Sequence, residues 1–186
     1  MSLLCLFLHE SVLEQGEISS SLRRFGDEVE LFDPKEGKFQ LDEQRIPDFL
    51  RALEGDNLPF SGRSAFLIAP RHDGFAEKLL HEALDYYPGQ LKYLSDLILK
   101  EMSFGDYSCL PFISAFFRDL PEDLVISGVK YLECGMDGLL AAKALYIHRN
   151  TFNYRLAQFI RISGVDIREY HNALLFEIYL QYIRKE

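Results

Sequence analysis

Long hydrophobic runs are missing from this chain, which is 48% hydrophobic and 26% charged and has no low-complexity tract. No run approaches the roughly 18 consecutive apolar residues that a membrane-spanning helix needs. The apolar start MSLLCLFLHE has no positive residue before it and is too short for the usual core of a signal peptide. We therefore expect a cytoplasmic protein with no membrane partner.

Cysteine is scarce, with only Cys5, Cys109 and Cys134 in the chain. Three widely spaced cysteines in apolar surroundings do not indicate a disulfide framework. Buried free thiols in a reducing cytoplasm are the expectation.

Motifs for metal binding and catalysis are also missing. The five histidines include no pair at the i, i+4 spacing of a helical metal site. The chain has neither a nucleophile-elbow pattern nor a P-loop. We predict no metal site, no cofactor and no enzymatic activity. The alternative is a nucleotide- or metabolite-handling enzyme built on the N-terminal part. A phosphate-binding loop or a carboxylate cluster would indicate such an enzyme.

Acidic residues are absent from one window, 138–165, although the chain carries a formal net charge of -9. Residues 137–164 predict two helices joined by a tight turn at Ile147. The first helix carries Leu139, Leu140, Ala141, Ala142 and Leu145, and the second carries Phe152, Leu156, Phe159 and Ile160 on one apolar face. Asp137 is placed to cap the first helix, and Gly164 is placed to end the second.

The polar face of the second helix suits the edges and phosphates of DNA, although most short helix pairs are ordinary structure. At roughly 100° per residue, its outward side holds Asn150, Asn153, Tyr154, Ala157 and Arg161. Asn and Arg can form paired hydrogen bonds with adenine and guanine in the major groove. Candidates for base edges are Arg149, Asn150 and Asn153. Phosphate contacts position a protein on the duplex but carry no information about base sequence. Candidates for such contacts are Lys143, His148, Thr151, Tyr154, Arg155 and Arg161. For Arg155, an ion pair with an acidic residue of the C-terminal helix is the alternative.

The run AAKALYIHRNTFNYRL resembles the C-terminal helix-turn-helix of PucR/CdaR-type bacterial transcription regulators, a relative of the Fis-type module. Two flanking stretches resemble the same family, FFRDLPEDLVISGVKYLE before the run and SGVDIREYHNALL after it. The resemblance implies sequence-specific DNA binding, with a recognition helix at about 149–162 in the major groove. Tyr146 stands where the turn of many helix-turn-helix sequences has glycine.

Charge is distributed unevenly between this window and the remainder of the chain. Of the 20 basic residues, four lie in the window, which leaves 16 against all 29 acidic residues elsewhere. A small basic surface on an acidic body would limit non-specific DNA binding and make the affinity strongly salt-dependent. The same balance is equally consistent with a protein that binds DNA poorly.

The N-terminal part predicts the element order β-α-β-β-α-β. Strands are indicated at 3–8, 28–32, 38–41 and 65–69, and helices before Gly26 and at 46–53. This is the order of a ferredoxin-like unit, a four-stranded antiparallel sheet with helices on one face. It is also the order of the core of GGDEF-like domains, which some relatives of these regulators carry upstream. Nothing here resembles a GGDEF motif, so we expect no cyclase activity.

From Phe75 onward the pattern predicts only helices, in segments at 79–84, 91–102, 110–117 and 124–132 before the helix pair and at 167–182 after it. Asp166 and Glu169 are placed as a capping box for the last helix. The predicted fold class is α+β, a ferredoxin-like unit followed by an all-α part with a helix-turn-helix. The predicted domains are 1–72 (small α/β), 73–120 (helical connector) and 121–186 (DNA-binding).

The sequence thus predicts a DNA-binding transcription regulator whose partner is double-stranded DNA, acting as a homodimer. The alternative is a protein-interaction or adaptor protein with a vestigial helix-turn-helix. A sensory role for the N-terminal domain, with an unnamed small-molecule effector, stays open.

Overall fold

The computed structural model describes residues 2–11, 13–55, 58–59 and 63–182. The chain forms two compact units, Met1–Lys100 and Glu101–Glu186. The first is a mixed α/β unit and the second is helical, so the predicted α+β class is confirmed at this level.

Unit 1 is built on a five-stranded sheet. Its strands are β1 (Ser2–His9), β2 (Gly26–Leu31), β3 (Glu36–Asp42), β4 (Ser64–Ile68) and β5 (Gln90–Tyr93). Its helices are α1 (Gln15–Leu22), α2 (Ile46–Glu54), α3 (Gly74–Tyr86) and α4 (Leu94–Ser103), the last of which runs past the boundary of the unit. The strand order is β2-β3-β1-β4-β5; the β4–β5 pair is parallel and the other pairs are antiparallel.

The predicted order of strands and helices is found over residues 2–68, but the prediction that the chain is only helical after Phe75 is wrong. Residues 90–93 form β5, which pairs with β4 in register from Ala65–Gln90 to Ile68–Tyr93. The four-residue strand is too short to show an alternating pattern, and Leu91 fits the helical spacing of the residues after it. Its conformation is decided by the partner strand, which lies more than 20 positions earlier.

The sheet of unit 1 is covered on both faces, whereas helices were predicted on one face. Cys5 and Phe7 of β1 join a buried cluster with residues of α1 and α2. Leu6 alternates with them on the opposite face and is also fully buried, and α3 packs against β1 and β4. Burial on both faces explains why the sequence of β1 is a continuous apolar run.

The described residues of unit 2 form the end of α4 and five further helices. These are α5 (Leu110–Phe117), α6 (Glu122–Glu133), α7 (Gly138–Ala144), α8 (Arg149–Ser163) and α9 (Tyr170–Tyr182). Aromatic rings form its centre: the ring centroids of Phe117 and Phe176 lie 5.1 Å apart, and those of Phe159 and Phe176 lie 4.9 Å apart. All three side chains are fully buried, so they join α5, α8 and α9 in one core.

The predicted capping box at the start of the last helix is wrong. Helix α9 begins at Tyr170, so Glu169 is the residue in the capping position, and its Oε2 accepts a hydrogen bond from the Asn172 N–H at 2.8 Å. Asp166 lies a turn earlier, where its Oδ1 accepts from the Arg168 N–H at 3.0 Å. The two acidic residues therefore stabilise successive turns separately.

All three cysteines are free thiols in the structure; Cys5 and Cys109 are buried and Cys134 is partly buried. Burial raises the pKa of the Cys5 thiol well above its ordinary value. Within the described ranges no helix is long and apolar enough to cross a membrane. The same ranges hold no group of three or more His, Cys, Asp or Glu side chains arranged to bind a metal ion.

We predict that Gly128→Ala destabilises unit 2. A Cβ on Gly128 would lie 2.8 Å from Cε1 of Phe176 and 2.9 Å from Cε2 of Phe159. Both rings are fully buried, so they cannot move aside into solvent, and overpacking should outweigh the better helix propensity of alanine. Chemical denaturation followed by circular dichroism should show a loss of about 1–3 kcal/mol.

The matched control is Ile126→Ala on the same helix, where the side chain is exposed and the expected change is within about 0.5 kcal/mol. A Gly128→Ala protein as stable as the wild type would contradict the close packing of α6 on these rings.

We also predict that Glu36→Gln stabilises unit 1 at neutral pH. Burial raises the pKa of Glu36; His81 opposes this effect, while Glu77 and Asp33 add to it. At pH 7 the folded state therefore holds a carboxylate that is less stable there than in the unfolded chain, and glutamine removes this penalty.

The gain in stability should shrink as the pH falls through the raised pKa toward the ordinary value of 4.5, because the folded carboxyl group then takes up its proton. Thermal melts of wild type and variant across this range provide the measurement. Glu54→Gln, at an exposed site of α2, is the control. A gain that grows at lower pH would contradict the prediction.

Candidate nucleic-acid interface

The two predicted helices are present with the predicted ends. Oδ1 of Asp137 accepts hydrogen bonds from the N–H groups of Leu139 and Leu140, at 2.8 and 3.0 Å, and so caps α7. Gly164 ends α8 with a φ of 70°, the left-handed conformation that favours glycine at this position. These local interactions confirm the roles assigned to Asp137 and Gly164.

The turn between α7 and α8 closes with two backbone hydrogen bonds. The Tyr146 N–H donates to the Lys143 carbonyl and the Ile147 N–H donates to the Ala142 carbonyl, both at 3.1 Å. This is the pattern of a Schellman motif, in which the residue after the helix takes a left-handed conformation. Here that residue is Tyr146, with a φ of 54°.

Small residues allow α8 to pack closely on its neighbours. Ala141 and Ala142 are buried, and a Cβ on Gly138 would lie 3.3 Å from Cε1 of Phe152. Tyr131 of α6 contacts the same ring, with 6.0 Å between the centroids. Helix α8 is therefore held on its apolar face by both α6 and α7.

The orientation of α8 agrees with the helical pattern of the sequence. Phe152, Leu156 and Phe159 are buried, and Ile160 is half-buried. The predicted outward residues are all exposed, namely Asn150, Asn153, Tyr154, Ala157 and Arg161. Since no acidic residue occurs between 138 and 165, this surface combines amide and guanidinium donors without a carboxylate of its own.

Polar residues at the start of α8 are exposed as well. His148 precedes the helix, and its Nδ1 accepts a hydrogen bond from the Asn150 N–H at 3.2 Å. Because Nδ1 accepts, the neutral ring carries its proton on Nε2, which can act as a donor. Lys143, Arg149 and Thr151 are also exposed, so the structure places all of these candidates at the surface.

Two of the predicted phosphate contacts have partners within the chain. Nε of Arg155 lies 3.6 Å from Oδ2 of Asp123, so an ion pair exists, but with α6 and not with the C-terminal helix as the alternative had it. Nε of Arg161 donates to Oε1 of Gln158 at 2.8 Å. The Arg161 partner is three positions away on the same helix and could have been inferred from spacing. The Arg155 partner lies 32 positions earlier and gave no local signal.

Exposed leucines are the feature of α7 that the apolar pattern did not indicate. Leu139 and Leu140 are 48% and 49% exposed, although they belong to the apolar run of this helix. The helix has only seven residues, and its buried positions are taken by Ala141 and Ala142. The two leucines therefore add exposed apolar surface to α7.

The acidic residues that flank the window have local partners. Asp137 is the cap of α7, and Asp166 accepts a hydrogen bond from Nε of Arg168 at 2.8 Å. Burial alone would raise the pKa of Asp166, but its hydrogen bonds with Arg168 outweigh this effect and lower the pKa below its ordinary value. Both carboxylates are thus engaged at the edges of the candidate interface.

Comparison with known proteins agrees with this geometry. Residues 129–182 match the family described as the PucR C-terminal helix-turn-helix domain. The chain is 30% identical over 142 residues to the DNA-binding transcriptional activator AdeR of Bacillus subtilis (strain 168), a match that covers 73% of this chain and 33% of AdeR. A 45-residue stretch is 44% identical to the uncharacterized protein YxkF of the same organism and covers 24% of this chain and 15% of YxkF.

The chain spans a third or less of the length of these curated relatives. Among solved structures, a regulator of polyketide synthase expression from Bifidobacterium adolescentis matches 100% of this chain and 83% of its own, with 16% identity and a TM-score of 0.48. That likeness is loose and carries no information on function. The family match runs from the C-terminal part of α6 to the end of α9: residues 129–182 are a PucR C-terminal helix-turn-helix domain, the family that the run AAKALYIHRNTFNYRL resembles.

Proposed function

We propose that this chain is a DNA-binding transcription regulator that places α8 in the major groove and acts as a homodimer. One observation carries the proposal: within a PucR C-terminal helix-turn-helix domain, the outward face of α8 exposes Asn150, Asn153 and Arg161 and contains no acidic residue. Such a face matches the negative charge and the base edges of duplex DNA. AdeR, a relative, is named as a DNA-binding transcriptional activator.

The candidate residues divide into two roles. We assign base edges to Arg149, Asn150 and Asn153, because their side chains can form paired hydrogen bonds with guanine or adenine. Phosphate contacts, which set the register of the helix on the duplex, are assigned to Lys143, His148, Thr151, Tyr154, Arg155 and Arg161.

Arg155 and Arg161 would have to exchange partners on binding. In the ion pair of Arg155, the arginine side chain is 28% exposed and the Asp123 side chain is 55% exposed. Water therefore reaches the carboxylate, and surface pairs contribute only about 0–1 kcal/mol. Arg161 is held by a neutral amide oxygen of Gln158. A phosphate group, which carries a full charge, can compete with either partner.

A dimer is proposed because one helix-turn-helix module covers few base pairs. Two modules on half-sites about 34–36 Å apart would double the number of base contacts. Unit 2 exposes the aromatic side chains of Phe104, Tyr107 and Phe112. Exposed apolar surface of this kind is typical of protein contacts and supports pairing of two copies.

The adaptor alternative rests on the net charge of -9, which is unusual for a protein that binds DNA. In that case the acidic body would bind a protein partner, and the helix-turn-helix would be vestigial. The two functions differ in one observable, because only the regulator should be retained on DNA in a salt-sensitive manner at low ionic strength.

For the N-terminal unit we propose a ferredoxin-like arrangement extended by one strand. The order β2-β3-β1-β4 and its antiparallel pairing support this assignment, and a GGDEF-like origin stays a further hypothesis. A division at residues 72 and 120, with 73–120 as a connector, is likewise a proposal. So are a small-molecule effector sensed by this unit and a cytoplasmic location for the protein.

Selection of bound sequences from random duplex DNA, repeated across a series of salt concentrations, tests the proposed function. We expect enrichment of a two-fold symmetric site and an affinity that falls steeply with salt. Absence of any retained duplex at low ionic strength would reject DNA binding and favour the adaptor.

Arg149→Ala and Asn150→Ala should each reduce discrimination between the selected site and an unselected duplex by about 1–3 kcal/mol. Both side chains are exposed, so the fold should be unchanged. Fluorescence anisotropy with the two duplexes provides the measurement. Arg118→Ala, an exposed arginine that precedes α6, is the control, and unchanged discrimination in both variants would refute the assignment to base edges.

Lys143→Ala should instead weaken binding to both duplexes by a similar factor. A phosphate contact carries no sequence information, and loss of one neutralised phosphate should reduce the slope of log K against log salt by about one. Lys78→Ala in unit 1 is the charge-matched control. A change in discrimination with an unchanged slope would argue against a phosphate contact by Lys143.

A further inference from the structure

Tyr146 combines two properties that are unfavourable for an ordinary turn residue. Its backbone has a φ of 54°, in the left-handed region where a Cβ crowds the following carbonyl oxygen. Its side chain is 98% exposed, so packing within the chain does not compensate for the strained backbone. A bulky residue in this conformation points to a function for the side chain.

Two other helices of unit 2 are followed by a glycine with a left-handed backbone. Helix α6 is followed by Gly135 with a φ of 66°, and α8 by Gly164 with a φ of 70°. A Cβ on either glycine would meet no atom within 4 Å, so the left-handed backbone, which Tyr146 shares, and not lack of space, is what favours glycine at these two sites. Met136, with a φ of 65°, is a further left-handed residue of this unit that is not glycine, but its side chain is half-buried, whereas that of Tyr146 is exposed.

The position of Tyr146 indicates what its side chain would meet. It lies between Lys143, on the last turn of α7, and His148, the cap of α8, and all three side chains are exposed. In the proposed function both neighbours face the phosphate backbone. Between them, a phenol presents one hydroxyl donor at the end of a rigid, flat apolar ring.

We propose that Tyr146 is a DNA-backbone contact, with its hydroxyl donating a hydrogen bond to a phosphate oxygen and its ring lying against the adjacent deoxyribose. The inference rests on the proposed function and adds to it a residue of the turn. Tyrosine hydroxyls are among the ordinary donors to phosphate oxygens. Because the phenol is neutral, this contact strengthens binding without displacing a counterion.

Three variants test the contact by fluorescence anisotropy on the selected duplex and on an unselected duplex of equal length. Tyr146→Phe removes only the hydroxyl and keeps the backbone and ring unchanged. Tyr146→Gly removes the side chain and suits the left-handed turn, so thermal melting by circular dichroism should show no loss of stability. Tyr86→Phe, an exposed tyrosine of α3, is the control and should bind as the wild type does.

We expect Tyr146→Phe to weaken binding about tenfold, the size of a hydrogen bond to a charged group, and Tyr146→Gly to weaken it at least as much. The loss should be equal on both duplexes, and the salt slope should stay at its wild-type value, in contrast to Lys143→Ala. This combination separates a neutral phosphate contact from a base contact and from a change in charge.

A Tyr146→Phe protein that binds both duplexes as tightly as the wild type overturns the hydroxyl contact, while the proposed function stands. A loss confined to the selected duplex also overturns it, because the contact would then be to a base. If the wild type itself shows no salt-sensitive binding to either duplex, the proposed function fails and this inference fails with it.

Discussion

The rings of Phe159 on α8 and Phe176 on α9 meet edge to face with 4.9 Å between their centroids, and Gly128 of α6 lies against both. The candidate interface depends on this contact. Helical geometry spaces side chains about 100° apart, so burying Phe152, Leu156 and Phe159 also directs the polar residues of α8 toward solvent. The aromatic core of unit 2 thereby determines which donors are presented.

The ends of the two interface helices depend on local chemistry instead. The side chain of Asp137 satisfies the first free N–H groups of α7, and Gly164 supplies the left-handed backbone that ends α8. These interactions span three residues or fewer, which explains why they could be inferred from the sequence. Tyr146 follows the same hydrogen-bond pattern but replaces the favoured glycine. In the proposed interface, the contact of the Tyr146 side chain with DNA explains why a bulky residue stands at this strained position.

Charge acts at two scales in this protein. Over the whole chain the acidic excess is large, yet the flanking Asp137 and Asp166 are bound to local partners. Asp123 of α6 differs from them, because its partner is Arg155 inside the window. An acidic residue of unit 2 thus reaches the border of the interface even though the window 138–165 contains none. A chain with this acidic excess would favour only DNA contacts in which a phosphate group replaces Asp123 as the partner of Arg155.

The sequence by itself determined the features that depend on residues close together in the chain. These are the buried strand β1, the order of elements over residues 2–68, the apolar face of α8, its outward residues and the caps of α7 and α8. Tertiary structure decided what depends on distant partners: the pairing of β5 with β4, the position of α3 on the second face of the sheet, and the Arg155–Asp123 pair. A short strand or a single ion pair carries no periodic pattern, because its free energy comes from a partner many residues away. Only the folded chain brings those groups together.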